Sequence, residues 1–409
     1  MSAPARPGDP GAASPPPSRE DTHAPLAGHP LAEQALEALL AGLAATDPTV
    51  LVRSAVRQGL LDDWFVSREK PRQIHVLALG KAAPRMLWGL VEASVPFKGF
   101  GVAPKGVPAP GVDTFEWHVG EHPVPGPKSL AAGIRLLDWV DALPDGAPVL
   151  VLLSGGASAC VEVMPPRVDA ATLEARWQEW LRAGLPIEEM NRLRSRLSIL
   201  KGGLLGQRIL HVTPNLRVWV LADTEPATAA ATVGSAPFFQ PGEPAKVPHR
   251  VVASNQDLVA AAGLRLGLLG FNVFRYPQRI TAQADEEVQR FLASFNGLKG
   301  EGPTALVGGG EPAVVLPLQA PRGGRCCHAA LSAAQHLRQG DLFLAGASDG
   351  VDGSSDASGA WTTAGDWDDE AQEALQGFDA AGLLGARRRT FDLGATGTNV
   401  NDLWVALRP

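Results

Sequence analysis

The residues best suited to chemistry in this chain are a lysine, an arginine and a few aspartates, each set at the end of an apolar run or the start of a helical pattern. Lys81 follows Gly80 at the end of IHVLAL. A cation there stands beside helix N-terminal N–H groups, where the helix dipole already favours an anion such as phosphate. The segment is not a Walker A loop, because His75 stands where the first glycine is needed and Ala82 follows the lysine. Taken alone, a solvated surface lysine is the better reading. The SGGASAC segment, Ser154 to Cys160, follows PVLVLL. Ser154, Gly155, Gly156 and Ser158 would let a turn approach a ligand closely and offer N–H groups to an anion. A tight strand-to-helix turn without a ligand requires the same residues.

In MNRLRSRLSILKGGLL, Met190, Leu193, Leu197, Leu200 and Leu204 repeat at helical spacing as a core-facing stripe. Asn191, Arg194, Ser198 and Lys201 repeat on a separate face, which suits either a carboxylate or phosphate ligand or a solvated basic surface. Asp223 closes RVWVLAD and Asp349 follows DLFLAGAS, so each carboxylate sits at a strand end, where it could hold Mg²⁺ on phosphate oxygens. Asp352 and Asp356 read as turn and cap residues. Arg325 opens the helical pattern of GGRCCHAAL with a planar fork that matches phosphate. Cys326 and Cys327 are adjacent, a spacing foreign to structural zinc sites, and read as small buried residues. GATGTNVNDLW, with Asn399 and Asn401, is a polar loop before a short apolar segment.

These residues need a scaffold that gathers strand ends. Near-continuous apolar runs such as IHVLAL, PVLVLL, RVWVLA and DLFLAGA alternate with helical patterns. That alternation predicts an α/β fold: two domains with largely parallel, helix-covered sheets facing each other across a cleft. The 409 residues fit two such domains. A Pro- and Ala-rich stretch predicts a disordered tail over 1–30. The Pro/Gly interruption PGEPAKVPH divides an N-terminal α/β domain over 31–247 from a C-terminal one over 248–409.

Composition narrows the function classes. A formal charge of −7 gives no basic footprint for nucleic acid. Three cysteines cannot build a disulfide framework, and no apolar run spans a membrane, so a soluble cytoplasmic protein is expected. No GxGxxG occurs, which disfavours a dinucleotide site.

The order of the motifs is more specific than any one of them. GKAA, EHPVPGPKS, SGGASA, MNRLRSRLSILKGG, a strand-end aspartate, GGGEP, GGR, AGASDGVDGSSDASGA and GATGTNVNDL resemble the glycerate 2-kinase family, whose C-terminal part is the MOFRL region. The resemblance covers nearly all of the chain after the tail. It implies ATP-dependent phosphorylation of D-glycerate at the 2-hydroxyl with Mg²⁺, small-molecule substrates only, and an assembly state left open between monomer and homo-oligomer. By the same resemblance Lys81 and Arg325 are catalytic, and Ser154, Gly155, Gly156, Ser158, Asn191, Arg194, Lys201, Asn399 and Asn401 bind nucleotide or substrate. Asp223 and Asp349 stand on the metal side.

Three departures from the family pattern stand out. Asp223 is followed by Thr224, Glu225, Pro226, Ala227 and Thr228 instead of Pro-Gly-Asp-Asp, Arg325 by Cys326, Cys327 and His328 instead of Asn-Gln-Glu, and Ala157 replaces a glycine. Phosphoryl transfer depends on positioning and charge neutralisation. A slowed or non-catalytic binding protein is therefore the alternative reading, with a hydroxypyruvate-type reductase third.

Overall fold

The computed structural model describes residues 28–65, 246–317 and 321–409, and residues 73–240 apart from 109 and several positions between 167 and 186. Most of the expected tail (1–27) and the centre of the Pro/Gly interruption (241–245) lie outside the described residues. The described chain forms two compact units, one from residues 48–221 and 227–252 and the other from residues up to 47, 222–226 and 253–409.

The first unit carries a six-stranded sheet: β1 (Ile74–Leu79), β2 (Phe97–Pro104), β3 (Phe115–Gly120), β4 (Val149–Ser154), β5 (Leu216–Ala222) and β6 (His249–Ser254). The strand order is β3-β2-β1-β4-β5-β6. Every pairing from β3 through β5 is parallel. Both central strands, IHVLAL and VLVLLS, are buried at every position. Parallel strands need crossovers, which cover both faces and leave no place for alternating polar residues.

The second unit holds β7 (Asn272–Arg275), β8 (Thr304–Gly310), β9 (Leu342–Ala347), β10 (Gly359–Thr363), β11 (Thr390–Phe391) and β12 (Asp402–Arg408), ordered β11-β10-β9-β12-β8-β7. This sheet corrects the expectation of largely parallel strands. β12 enters between β8 and β9 and runs antiparallel to both, β10 is antiparallel to β9 and β11, and only β7 and β8 pair in parallel. A buried apolar run reports that both faces are covered and carries no record of strand direction.

The helix Pro30–Ala45 belongs to this second unit, not to the N-terminal domain in which the sequence placed it. Its Ala32, Ala35, Ala38 and Leu39 are fully buried, and it packs on the helix Asn255–Leu268. No single helix among the described residues is long and apolar enough to cross a membrane.

At the centre of the second unit Phe291, Phe343 and Trp404 meet edge to face, with ring centroids 5.4–5.9 Å apart. All three are fully buried. Trp404→Ala is expected to cost about 3–5 kcal/mol, because transfer energy and a cavity are lost together. Urea unfolding checks it, and a loss under about 1 kcal/mol would remove this cluster from the core.

Candidate active site

In the first unit the ends of β1 and β4 interlock. The Lys81 N–H donates to the Gly155 carbonyl at 2.9 Å, and the Ala82 N–H to Ser154 Oγ at 3.0 Å. Gly80 has φ +110°, and a Cβ there would lie 2.5 Å from the Ser154 carbonyl oxygen, so only glycine allows this approach. A Cβ on Gly156 would come within 3.1 Å of Lys81 Cγ. Lys81 therefore stands over the Ser154–Gly156 turn, and its side chain is partly exposed. Ser158 Oγ lies 2.7 Å from Ser235 Oγ. The sequence reading of two separate strand-end motifs is one local structure.

The long helix anticipated over 190–205 is broken. A helix spans Ile187–Arg196, a turn follows, and a second helix spans Leu204–Val212. Gly202 and Gly203 carry φ values of +61° and +88°, which no continuing helix uses. The apolar stripe is broken with it: Leu200 is buried, Leu193 and Leu197 are partly buried, and Leu204 is exposed. Met190 and Asn191 lie in the first helix, and their side chains fall outside the described residues.

Lys201 is not on an accessible face. It is 2% exposed and its Nζ forms an ion pair with the buried Glu162 carboxylate. Ser198 Oγ donates to the same carboxylate at 2.5 Å, and the Val163 N–H at 3.0 Å. Burial pulls Lys201 below the usual lysine range, with Glu162 acting in the other direction. Burial also lowers Arg194 to about 10, again against the pull of Glu162, which leaves it a cation at neutral pH. Three members of the polar face thus gather around an acid. Nothing in the spacing marked Glu162, which follows Cys160 and Val161 at the exit of the SGGASA turn.

In the second unit the residues collect where β8 and β9 end and β12 begins. The register places Asp402 opposite both Gly310 and Ala347, and therefore beside Glu311 and Ser348. Arg325 is the first residue of the helix Arg325–Ala334. Its Nε and Nη2 donate to the two Asp402 oxygens at 2.6 and 3.2 Å, and its Nη1 lies 3.0 Å from Glu311 Oε1. Burial pushes the Asp402 carboxyl up to about 6, with the Arg325 charge pulling it down. The fork expected for phosphate is thus engaged by a carboxylate, and part of the second amino group remains for a ligand.

Asp352, read from the sequence as a turn and cap residue, caps this helix. Its two oxygens accept the Cys326 and Cys327 N–H groups at 2.8 Å each. Both thiols are buried, and burial pushes each well above the usual cysteine range. His328 Nε2 meets Asp285 Oδ1 at 3.2 Å.

The Asp223 carbonyl receives two donors, Arg279 Nη2 and Asn401 Nδ2, the latter at 2.5 Å. Asn401 holds a left-handed φ of +65°. Asn399 is nearly buried two residues earlier. Asp349 is partly buried and its Oδ1 accepts the Val351 N–H at 3.1 Å. Among the described residues no three His, Cys, Asp or Glu side chains cluster to hold a metal. A nucleotide-bound Mg²⁺ takes only one or two carboxylate oxygens beside phosphate and water, a donor set for which no three-residue cluster is required.

Comparison with known proteins agrees along most of the chain. Residues 34–257 match the family described as Domain of unknown function (DUF4147), and residues 304–402 match the MOFRL family. The D-glycerate 2-kinase of Thermotoga maritima is 27% identical over 88% of this chain and 99% of its own length. A protein of Agrobacterium vitis named putative hydroxypyruvate reductase is 28% identical over 81% of this chain and 98% of its own. The crystal structure of glycerate kinase from Thermotoga maritima superposes with a TM-score of 0.79 at 26% identity, covering 93% of this chain and 100% of that one.

Proposed function

This chain belongs to the glycerate 2-kinase family of DUF4147 and MOFRL proteins, and from that premise we propose that it phosphorylates D-glycerate at its 2-hydroxyl with ATP. The observation that carries the reading is Lys81 standing over the Ser154–Gly156 turn, a cation and a glycine turn joined in one local structure, a combination suited to an anion. In the reaction the 2-hydroxyl oxygen gives up its proton to water and bonds to the γ-phosphorus while the bond to the bridging oxygen of ADP breaks. Charge grows on the equatorial and leaving oxygens.

The reading assigns a charge-stabilising role to the Lys81 ammonium in the first unit and, in the second, to the Arg325 N–H groups beyond those bonded to Asp402 and Glu311. Ser154, Gly155, Gly156 and Ser158 shape the turn that receives an anion, while Asn399 and Asn401 form the polar loop before β12. Arg194 supplies cationic charge near the turn's exit, and Lys201 supports that region from inside through Glu162. Asp223 and Asp349 would hold Mg²⁺, which when bound neutralises phosphate charge.

The test is a coupled assay of ADP release from ATP with and without D-glycerate. Glycerate-dependent release that requires added Mg²⁺ is the expected result. The hydroxypyruvate reductase name carried by a relative gives the competing arm. NAD(P)H oxidation with hydroxypyruvate, in the absence of glycerate-dependent ADP release, would replace the kinase reading. ATP binding without turnover on D-glycerate or another small hydroxyacid would favour a binding role, in line with the altered residues after Asp223 and Arg325.

A further inference from the structure

We propose that Asp402 is a positioning residue that sets the orientation of the Arg325 guanidinium through a buried two-point contact, and that the kinase works only while this carboxylate is ionised. The inference rests on the kinase reading above and adds to it a residue whose work is done through Arg325.

The geometry separates Asp402 from an ordinary surface partner. Its side chain is 1% exposed, whereas Glu311, the other acid on Arg325, is half exposed. An exposed partner leaves a long side chain free to turn. Asp402 cannot turn, because its backbone lies in the sheet between Gly310 and Ala347 and its carbonyl accepts a 3.1 Å bond from Asn255 Nδ2. Asn255 is itself buried and also binds the Val400 carbonyl at 2.8 Å. A rigid strand end therefore fixes the carboxylate, and its two oxygens fix the plane of the guanidinium.

The helix supplies the second constraint. Arg325 is its first residue, and Asp352 ties down the next two N–H groups. The backbone just after Arg325 and the Arg325 side chain are thus held by separate acids from separate elements. The charged and titratable groups around Asp402 are Arg325 on the helix, Glu311 after β8, Asp352 in the loop after β9, and Cys326. Arg325 is the one cation among them. Proton uptake by Asp402 removes half of the ion pair and turns one acceptor oxygen into a hydroxyl, so the two-point contact is lost.

Asp402→Asn preserves the shape and removes the charge. For the wild type, kcat is expected to fall on the acid side with a midpoint near 6. D402N is expected to lose about tenfold or more in kcat at pH 7.5, with little change in KM for ATP, and to lack that acid limb. Asp402→Glu, which keeps the charge, should retain the limb. An unchanged pH profile in D402N would overturn the proposal.

A second arm is independent of turnover. Guanidinium ion at millimolar concentration should raise the melting temperature of Arg325→Ala relative to an equal concentration of sodium, and should restore part of any lost activity. It should do neither in Arg325→Ala/Asp402→Asn. Equal responses of the two variants to guanidinium would refute capture by Asp402 even if the wild type proved not to be a kinase. An Arg325→Ala variant with full kcat would instead remove Arg325 from the reaction, a failure of the kinase reading that the thermal arm tells apart.

Discussion

Lys81→Met is expected to lower kcat for D-glycerate phosphorylation by about a hundredfold or more, the loss associated with removing one preorganised charge from a transition state. KM for glycerate should move much less, because the ammonium matters most when charge has accumulated on the transferred phosphoryl group. Methionine keeps much of the stem, so contact with the Gly156 turn is largely preserved and the change isolates the charge. The Lys81 N–H bond to Gly155 is made by the backbone and survives any side chain. Melting temperature should therefore stay close to that of the wild type. Steady-state kinetics with thermal denaturation in parallel checks both halves. An active wild type whose Lys81→Met variant retains full kcat would remove Lys81 from the chemistry.

Lys201→Met is expected to act the other way, on stability before activity. The change leaves Glu162 buried without its ammonium, and breaking a buried pair by removing one partner costs about 3–5 kcal/mol. Ser198 and the Val163 N–H still donate to the carboxylate, which places the loss toward the lower end of that range. Removing both partners, as Lys201→Met/Glu162→Leu, should recover only part of the stability, because the carboxylate is no longer left without its ammonium while the buried Arg194 cation loses the acid that supports it. Chemical denaturation of the two variants gives the comparison. A single variant as stable as the wild type would show that Lys201 is not held inside as the ion pair requires. Leu197→Ala should cost less than a fully buried leucine would, since this side chain is only partly covered.

The two predictions differ because the same kind of residue, a lysine close to a glycine turn, meets two environments. In sequence Lys81 and Lys201 look alike, each next to a glycine. Helical spacing placed Lys201 with Arg194 on one accessible face, a projection valid only while the helix continues. The left-handed backbone at Gly202 and Gly203 ends it, and the turn carries Lys201 inward to Glu162.

The sequence by itself determined the main buried strands and their ends. Apolar runs of strand length, closed by glycine, serine or aspartate, specify buried strands and put Lys81, Ser154, Asp223 and Asp349 at their boundaries, because burial and turn formation are local demands on local residues. The ordered motifs also specified the family. Tertiary structure alone decided the direction of β12, since a strand covered on both faces has the same composition whichever way it runs. It likewise decided which acid answers each cation. Glu162 meets Lys201 across 39 residues, and Asp402 meets Arg325 across 77. Coulombic attraction and desolvation depend on distance and burial in space, and chain separation carries neither.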